Sequence, residues 1–210
     1  TDSSFKVCYT KDNGSLGFLS VKENKKKPGY IACGSAITSY SRCFTITAAQ
    51  KNYHGVNERG FIYADTDSIH CDLEPDEIAG IKEHPTNFCC WKLESCWDKA
   101  IFARQKTYIE HIVRENRKAI MPKWDVKCAG MNKQCKDLFI DSINYTDCVK
   151  NNKPNKAKNI LKGKTEEQKI FIKQEKTIKD FKVGLKIPGK LMAKRIQGGV
   201  LLVETDYQMR

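Results

Sequence analysis

The sequence predicts an α+β fold, antiparallel sheet with packed helices, on three observations. Short runs rich in Val, Ile, Phe and Tyr are separated by turn residues. One segment, residues 35–54, carries its apolar side chains at helical spacing. The 210 residues are 40% hydrophobic and 30% charged, a globular composition able to bury a core in one domain or two small ones. No apolar run approaches the length of a membrane span, and no signal peptide opens the chain. The first residue is Thr1 rather than Met, so a piece of a longer protein is expected.

The elements follow in order. Phe5–Tyr9 leads to the turn Asp12-Asn13-Gly14, and Leu16–Val21 returns as the second arm of a hairpin. Residues 23–29 close it as a basic loop. In the helical segment Ile37, Tyr40, Phe44 and Ala48 share a face, and Gly55 supplies a stop. Phe61–Ala64 and Ser68–Leu73 read as two strands around Asp65-Thr66-Asp67, which places an acidic pair at a tight hairpin tip. A short helix is expected over 76–82, one long strand over Ala100–Val113, and another over Trp124–Ala129. Thr165 and Gln168 stand at capping-box spacing for a short helix. A last hairpin turns at Gly198-Gly199 into the strand Val200–Val203. A module boundary is placed near residue 131, dividing the chain into 1–30, 31–131 and 132–210, and no internal repeat is found.

Charge is distributed unevenly. Residues 1–100 carry 12 basic and 13 acidic side chains, whereas residues 101–210 carry 25 and 12, with 11 lysines against 4 acids between 150 and 182. A solvated surface accounts for scattered lysines, but an excess this lopsided favours a polyanionic partner, nucleic acid first. The ten cysteines form no C-x-x-C pair, and most have apolar neighbours, so reduced thiols are expected. A zinc-stabilised binding protein built on His84, Cys89, Cys90 and Cys96 is the rival that their clustering allows.

The stretch YADTDSIH, residues 63–70, carries the chemistry. Two carboxylates this close repel, and a hard divalent cation such as Mg²⁺, which prefers carboxylate oxygen, would hold them. An Asx-type turn, each Asp bonding its own backbone, is the structural alternative. Arg104, Lys106 and Tyr108 alternate, so on one strand all three project from one face as a rail for phosphate oxygens.

YADTDS resembles the carboxylate motif Y-x-D-T-D-S in the palm of family B DNA polymerases. Residues 36–50 resemble the segment before that motif in the protein-primed branch, which serves phages, linear plasmids and mobile elements. Residues 104–109 resemble its K-x-Y motif, and residues 126–131 and 181–184 its palm–thumb junction and thumb. The resemblance implies the C-terminal part of such an enzyme. Residues 1–30 would be the insertion hairpin used in processivity and strand displacement, 31–131 the second half of the palm, and 132–210 a lysine-rich thumb.

On this resemblance Asp67 is a direct metal ligand, and Asp65 orients the site or reaches the metal through water. Tyr63 lies near the incoming nucleotide or faces the core. Lys106 and Tyr108, with Arg104 beside them, hold the primer terminus, and Lys127 adds to the same backbone. Arg42 faces the template or caps its helix. Two Mg²⁺ ions, primer–template DNA, a dNTP and a terminal priming protein are the implied cofactors and partners, with no membrane, in the bacterial host cytoplasm. A further metal-binding Asp motif and a nucleotide-binding helix of the family do not occur here and are expected upstream, in the missing N-terminal half. The isolated chain is therefore expected not to polymerise. A non-catalytic DNA-binding clamp with a relic palm is the alternative.

Overall fold

The computed structural model describes residues 4–10, 15–22, 29–197 and 199–210, with β1 and β2 given by backbone alone. Strands β1 (Ser4–Thr10) and β2 (Leu16–Lys22) pair antiparallel, Cys8 opposite Phe18. The Asp12-Asn13-Gly14 turn, lysines 25–27 and Gly198 lie outside the described residues.

Helix α1 (Ile31–Asn52) forms where the periodicity placed it, but of the four apolar residues sharing a face only Ala48 is buried. Its buried residues are Thr45, Ala48 and Asn52, whereas Ile37 and Tyr40 are 65% and 78% exposed. Phe44 stacks on Trp91, ring centroids 5.0 Å apart. At its C-terminal end the helix is seated by hydrogen bonds. Asn52 donates from Nδ2 to Ala79 O at 3.0 Å and accepts from Ala79 N–H at 2.8 Å, so a polar side chain satisfies a loop backbone. The chain then re-enters close by, and at Gly60 (φ +152°) an added Cβ would collide with the Asn52 carbonyl oxygen.

β3 (Phe61–Asp65) and β4 (Ser68–Cys71) make the expected acidic-tipped hairpin. The helix expected over 76–82 is only a 3₁₀ turn, Pro75–Glu77, with a capping box between Glu74 and Glu77. Gly80 takes φ +72° just beyond it, which a continuing helix does not allow. The single strand expected over 100–113 is two. β5 (Ser95–Arg104) reverses through Gln105-Lys106 into β6 (Thr107–Glu115), and β7 (Lys118–Cys128) completes a three-stranded antiparallel sheet in the order β5-β6-β7.

Helix α2 (Lys133–Lys150) is capped by Asn132, whose Oδ1 accepts Cys135 N–H at 2.9 Å. It buries Cys135, Leu138, Phe139, Ser142, Ile143 and Thr146, one helical stripe. That stripe meets Ile109 and Val126 of the sheet, Phe171 and Ile172 of α4 (Glu166–Ile172), Ile187 and Tyr207 of the closing hairpin β8 (Lys186–Ile196) and β9 (Gly199–Gln208), and Met209 just after it. The Thr165–Gln168 capping box is formed as expected, and α3 (Pro154–Leu161) starts on its proline. The apolar core thus runs across residue 131 without a break. No helix among the described residues is long and apolar enough to cross a membrane.

Nine described cysteines are free thiols. Burial pushes Cys135 up to about 11, and burial followed by the Asp72 charge does the same to Cys71. Since the thiolate is the nucleophile, exposed Cys33, Cys43 and Cys89 are expected to react with a maleimide first at pH 7.5, and Cys128 and Cys135 only after denaturant is added. Peptide mapping by mass spectrometry checks this; early labelling of Cys135 would contradict its burial. The four residues of the zinc alternative are not gathered into one site. His84 Nδ1 accepts the backbone N–H groups of Thr86 and Asn87 at 3.2 and 3.0 Å. Among the described residues no group of three or more His, Cys, Asp or Glu gathers to hold a metal.

Candidate functional site

The turn between β3 and β4 is built for rigidity. Asp67 N–H donates to Asp65 O at 2.7 Å, Ser68 Oγ donates to the same oxygen at 3.0 Å, and Thr66 sits at φ +54°. Helix α1 holds the turn from behind, Thr45 Oγ1 donating to Thr66 O at 3.0 Å. The Asp65 carboxylate accepts from Thr66 Oγ1 at 3.1 Å and stands 3.6 Å from Lys106 Nζ. Asp67 is exposed, and its carboxylate has no hydrogen-bond or ion-pair partner among the described residues. The bonds here run from the backbone and neighbours inward, so the turn survives with one carboxylate left open.

Lys106 faces it from the β5–β6 turn. The expected rail of three residues on one strand is corrected here, because the chain reverses between Arg104 and Tyr108. Gln105-Lys106 lacks the Gly or Asn that usually signals a two-residue hairpin, and Lys106 nonetheless adopts φ +56°. Two bonds hold it there: its N–H donates to Tyr63 Oη at 2.9 Å, and its carbonyl accepts Ala129 N–H at 3.1 Å. Arg104 closes the turn by donating from Nε to Thr107 Oγ1 at 3.3 Å.

Tyr63, Phe102, Tyr108 and His70 form one ring cluster between the two sheets. Tyr63 and His70 are cross-strand partners on β3–β4, and Phe102 and Tyr108 on β5–β6. Tyr63 lies 5.6 Å from Tyr108 and His70 lies 5.0 Å from it, centroid to centroid. Burial, then the negative charges of Glu110 and Asp125, pushes Tyr108 up to about 12, so its hydroxyl keeps its proton and can donate at neutral pH. Lys127 lies opposite Tyr108 in the register and pairs with Asp125 at 3.2 Å.

Tyr63, Asp65, Lys106, Tyr108 and Lys127 are therefore brought together. Arg42 is exposed on α1, one turn before Thr45, and no contact joins it to the others. Thr45, His70 and Glu110 escaped the sequence reading. Thr45 is one of three threonines in α1, with nothing local to single it out, and His70 next to an acidic motif was the one available signal.

Two aspartate carboxylates on one turn offer hard oxygen donors of the kind Mg²⁺ takes, Asp67 free and Asp65 already facing a lysine. The set fits a cation that keeps several waters, and falls short of a complete protein cage.

No model of a protein family matches the chain. Over its whole length it is 32% identical to the DNA polymerase of Bacillus phage B103 and 34% identical to that of Bacillus phage Nf, covering 31% of each. It is 29% identical to the DNA polymerase of Streptococcus phage Cp-1 over 98% of the chain and 28% of that protein. Phi29 DNA polymerase complexed with primer-template DNA superposes on all of this chain with a TM-score of 0.58 at 32% identity, across 31% of its own length. The ternary complex of the same enzyme with primer-template DNA and incoming nucleotides gives 0.57 at 33%. The chain spans 31% of the length of the first relatives it matches.

Proposed function

From a chain homologous throughout to phage DNA polymerases of the phi29 type, we propose that it is the palm-and-thumb portion of a protein-primed family B DNA polymerase. The supporting observation is the meeting of the aspartate turn with the Lys106 turn, Asp65 to Lys106 at 3.6 Å, in a chain that aligns along its whole length with 31% of a polymerase solved on primer-template DNA. In this reading residues 1–30 are the insertion hairpin, 31–131 the palm's second half and 132–210 the thumb.

Each residue has a role on that footing. Asp67, exposed and unpaired, would hold divalent metal, with Asp65 beside it. Lys106 Nζ and the Tyr108 hydroxyl, donors on one side of the site, would bind phosphate oxygens of the primer strand, with Lys127 and Arg104 extending the contact. Tyr63 would border the nucleotide while its hydroxyl is spent on Lys106. Arg42 would face the template. Bound Mg²⁺ would supply charge stabilisation for nucleotidyl transfer from a dNTP. The chain's own residues position and neutralise, which is what phosphoryl transfer asks of a protein. A single turn with two carboxylates does not make a two-metal clamp, so the chain by itself would not polymerise. It would act with the remaining polymerase and a terminal priming protein in the host cytoplasm. The Asp65–Lys106 pair favours one alternative, a DNA clamp without catalysis, since the lysine already neutralises one of the two acids.

Lys106→Ala and Tyr108→Phe are expected to weaken binding to primer–template DNA about fivefold each, the loss of one charge-assisted or neutral phosphate bond. Fluorescence anisotropy at fixed salt reads it. Unchanged affinity in both variants overturns the primer contact.

A further inference from the structure

The aspartate turn and the Lys106 turn belong to different sheets, and no backbone ladder joins β3–β4 to β5-β6-β7. Their spacing is therefore set by side chains. Besides the ring cluster, three polar contacts cross between these sheets among the described residues. Two involve Lys106 itself, its N–H to Tyr63 Oη and its ammonium to Asp65. The third is His70 Nδ1 with Glu110 Oε1 at 2.8 Å, and it is the one withdrawn from solvent, Glu110 being 4% exposed.

A carboxylate sealed from water is costly unless a partner satisfies it, and His70 is the only side-chain partner Glu110 has among the described residues. An aromatic cluster needs no such pair to cohere; a leucine and a phenylalanine would fill the space without the desolvation cost. What a buried polar pair adds is a short, directional constraint. His70 faces Tyr63 across β3–β4, and Tyr63 carries the bond to Lys106. Glu110 lies two residues along β6 from Tyr108, on the same strand face.

We propose that His70 and Glu110 are a positioning pair for the site, tying the aspartate hairpin to β6 so that Lys106 and Tyr108 stand at a fixed distance from Asp65 and Asp67. Its value for function rests on the primer-binding reading above; its value for geometry does not.

The test uses the full chain with Glu110→Gln, which keeps an acceptor for His70, Glu110→Leu, and the apolar double variant His70→Phe/Glu110→Leu. Solvent exchange of the Lys106 amide, followed by NMR, reports on its bond to Tyr63 whether or not DNA binds. Glu110→Gln is expected to retain wild-type exchange. The double variant is expected to melt no lower than wild type, yet to exchange Lys106 about fivefold faster, the equivalent of one weakened hydrogen bond. It should also lose primer–template affinity to a similar degree. Unchanged Lys106 exchange in the folded double variant overturns the proposal, since the pair would then be packing alone. Faster exchange with unchanged DNA affinity keeps the positioning pair and overturns the primer-binding reading instead.

Discussion

Phe139→Ala is expected to lower the free energy of unfolding by about 3–5 kcal/mol, the range for deleting a large buried aromatic side chain. Phe139 is fully buried and its ring lies 5.8 Å from that of Phe181, in a cluster reaching from β6 and β7 through α2 to β9. Small domains have only about 5–15 kcal/mol in total, so the variant would stand near the edge of folding at 37 °C. Urea titration followed by tryptophan emission measures the loss, and a change below about 1 kcal/mol would contradict the packing. Because Ile109 and Val126 share that core, the strands carrying Tyr108 and Lys127 should loosen with it. Primer–template binding is then expected to disappear at the same urea concentration as the emission change. Binding that outlasts the transition would mean that the sheet is stable without α2.

The second large effect is on DNA affinity and salt. Arg42, Arg104, Lys106 and Lys127 are four cations, and if each meets one phosphate the slope of log affinity against log salt is about −3.6. Raising salt fourfold should then cost about a hundredfold in affinity. Lys106→Ala should flatten the slope by about one. A slope shallower than about −1 in the wild-type chain would remove the DNA reading altogether. A slope steeper than about −6 would assign phosphate contacts to lysines between 150 and 182 as well. Those lysines are the natural reserve, since only Lys164 and Lys169 among them form ion pairs with described residues, to Asp141 and Glu166.

Several elements were legible from local pattern. The acidic hairpin, the capping box at Thr165 and the closing hairpin depend on residues within a few positions of one another, and the structure contains all three. Two departures had a common cause. The reversal at Gln105-Lys106 carries no turn residue, and Lys106 holds its positive φ only because Tyr63 and Ala129, distant in sequence, supply its hydrogen bonds. On α1 the shared apolar face is only half used: Phe44 and Ala48 pack while Ile37 and Tyr40 stay exposed, and the helix also meets its neighbours through Thr45 and Asn52, polar residues answering loop carbonyls and an amide.

By itself, then, the sequence determined the acidic turn and the excess of basic residues in the second half of the chain. Charge and short-range turn chemistry are written along the chain. Which of those residues meet was decided only by tertiary structure. Two sheets without a shared strand are brought together by a ring cluster and a buried His70–Glu110 pair, and those contacts, 40 residues apart in sequence for that pair, have no local signature. Desolvation makes a buried polar contact worth forming in one geometry and costly in others, and that is why folding rather than composition sets Lys106 against Asp65 and leaves Asp67 open.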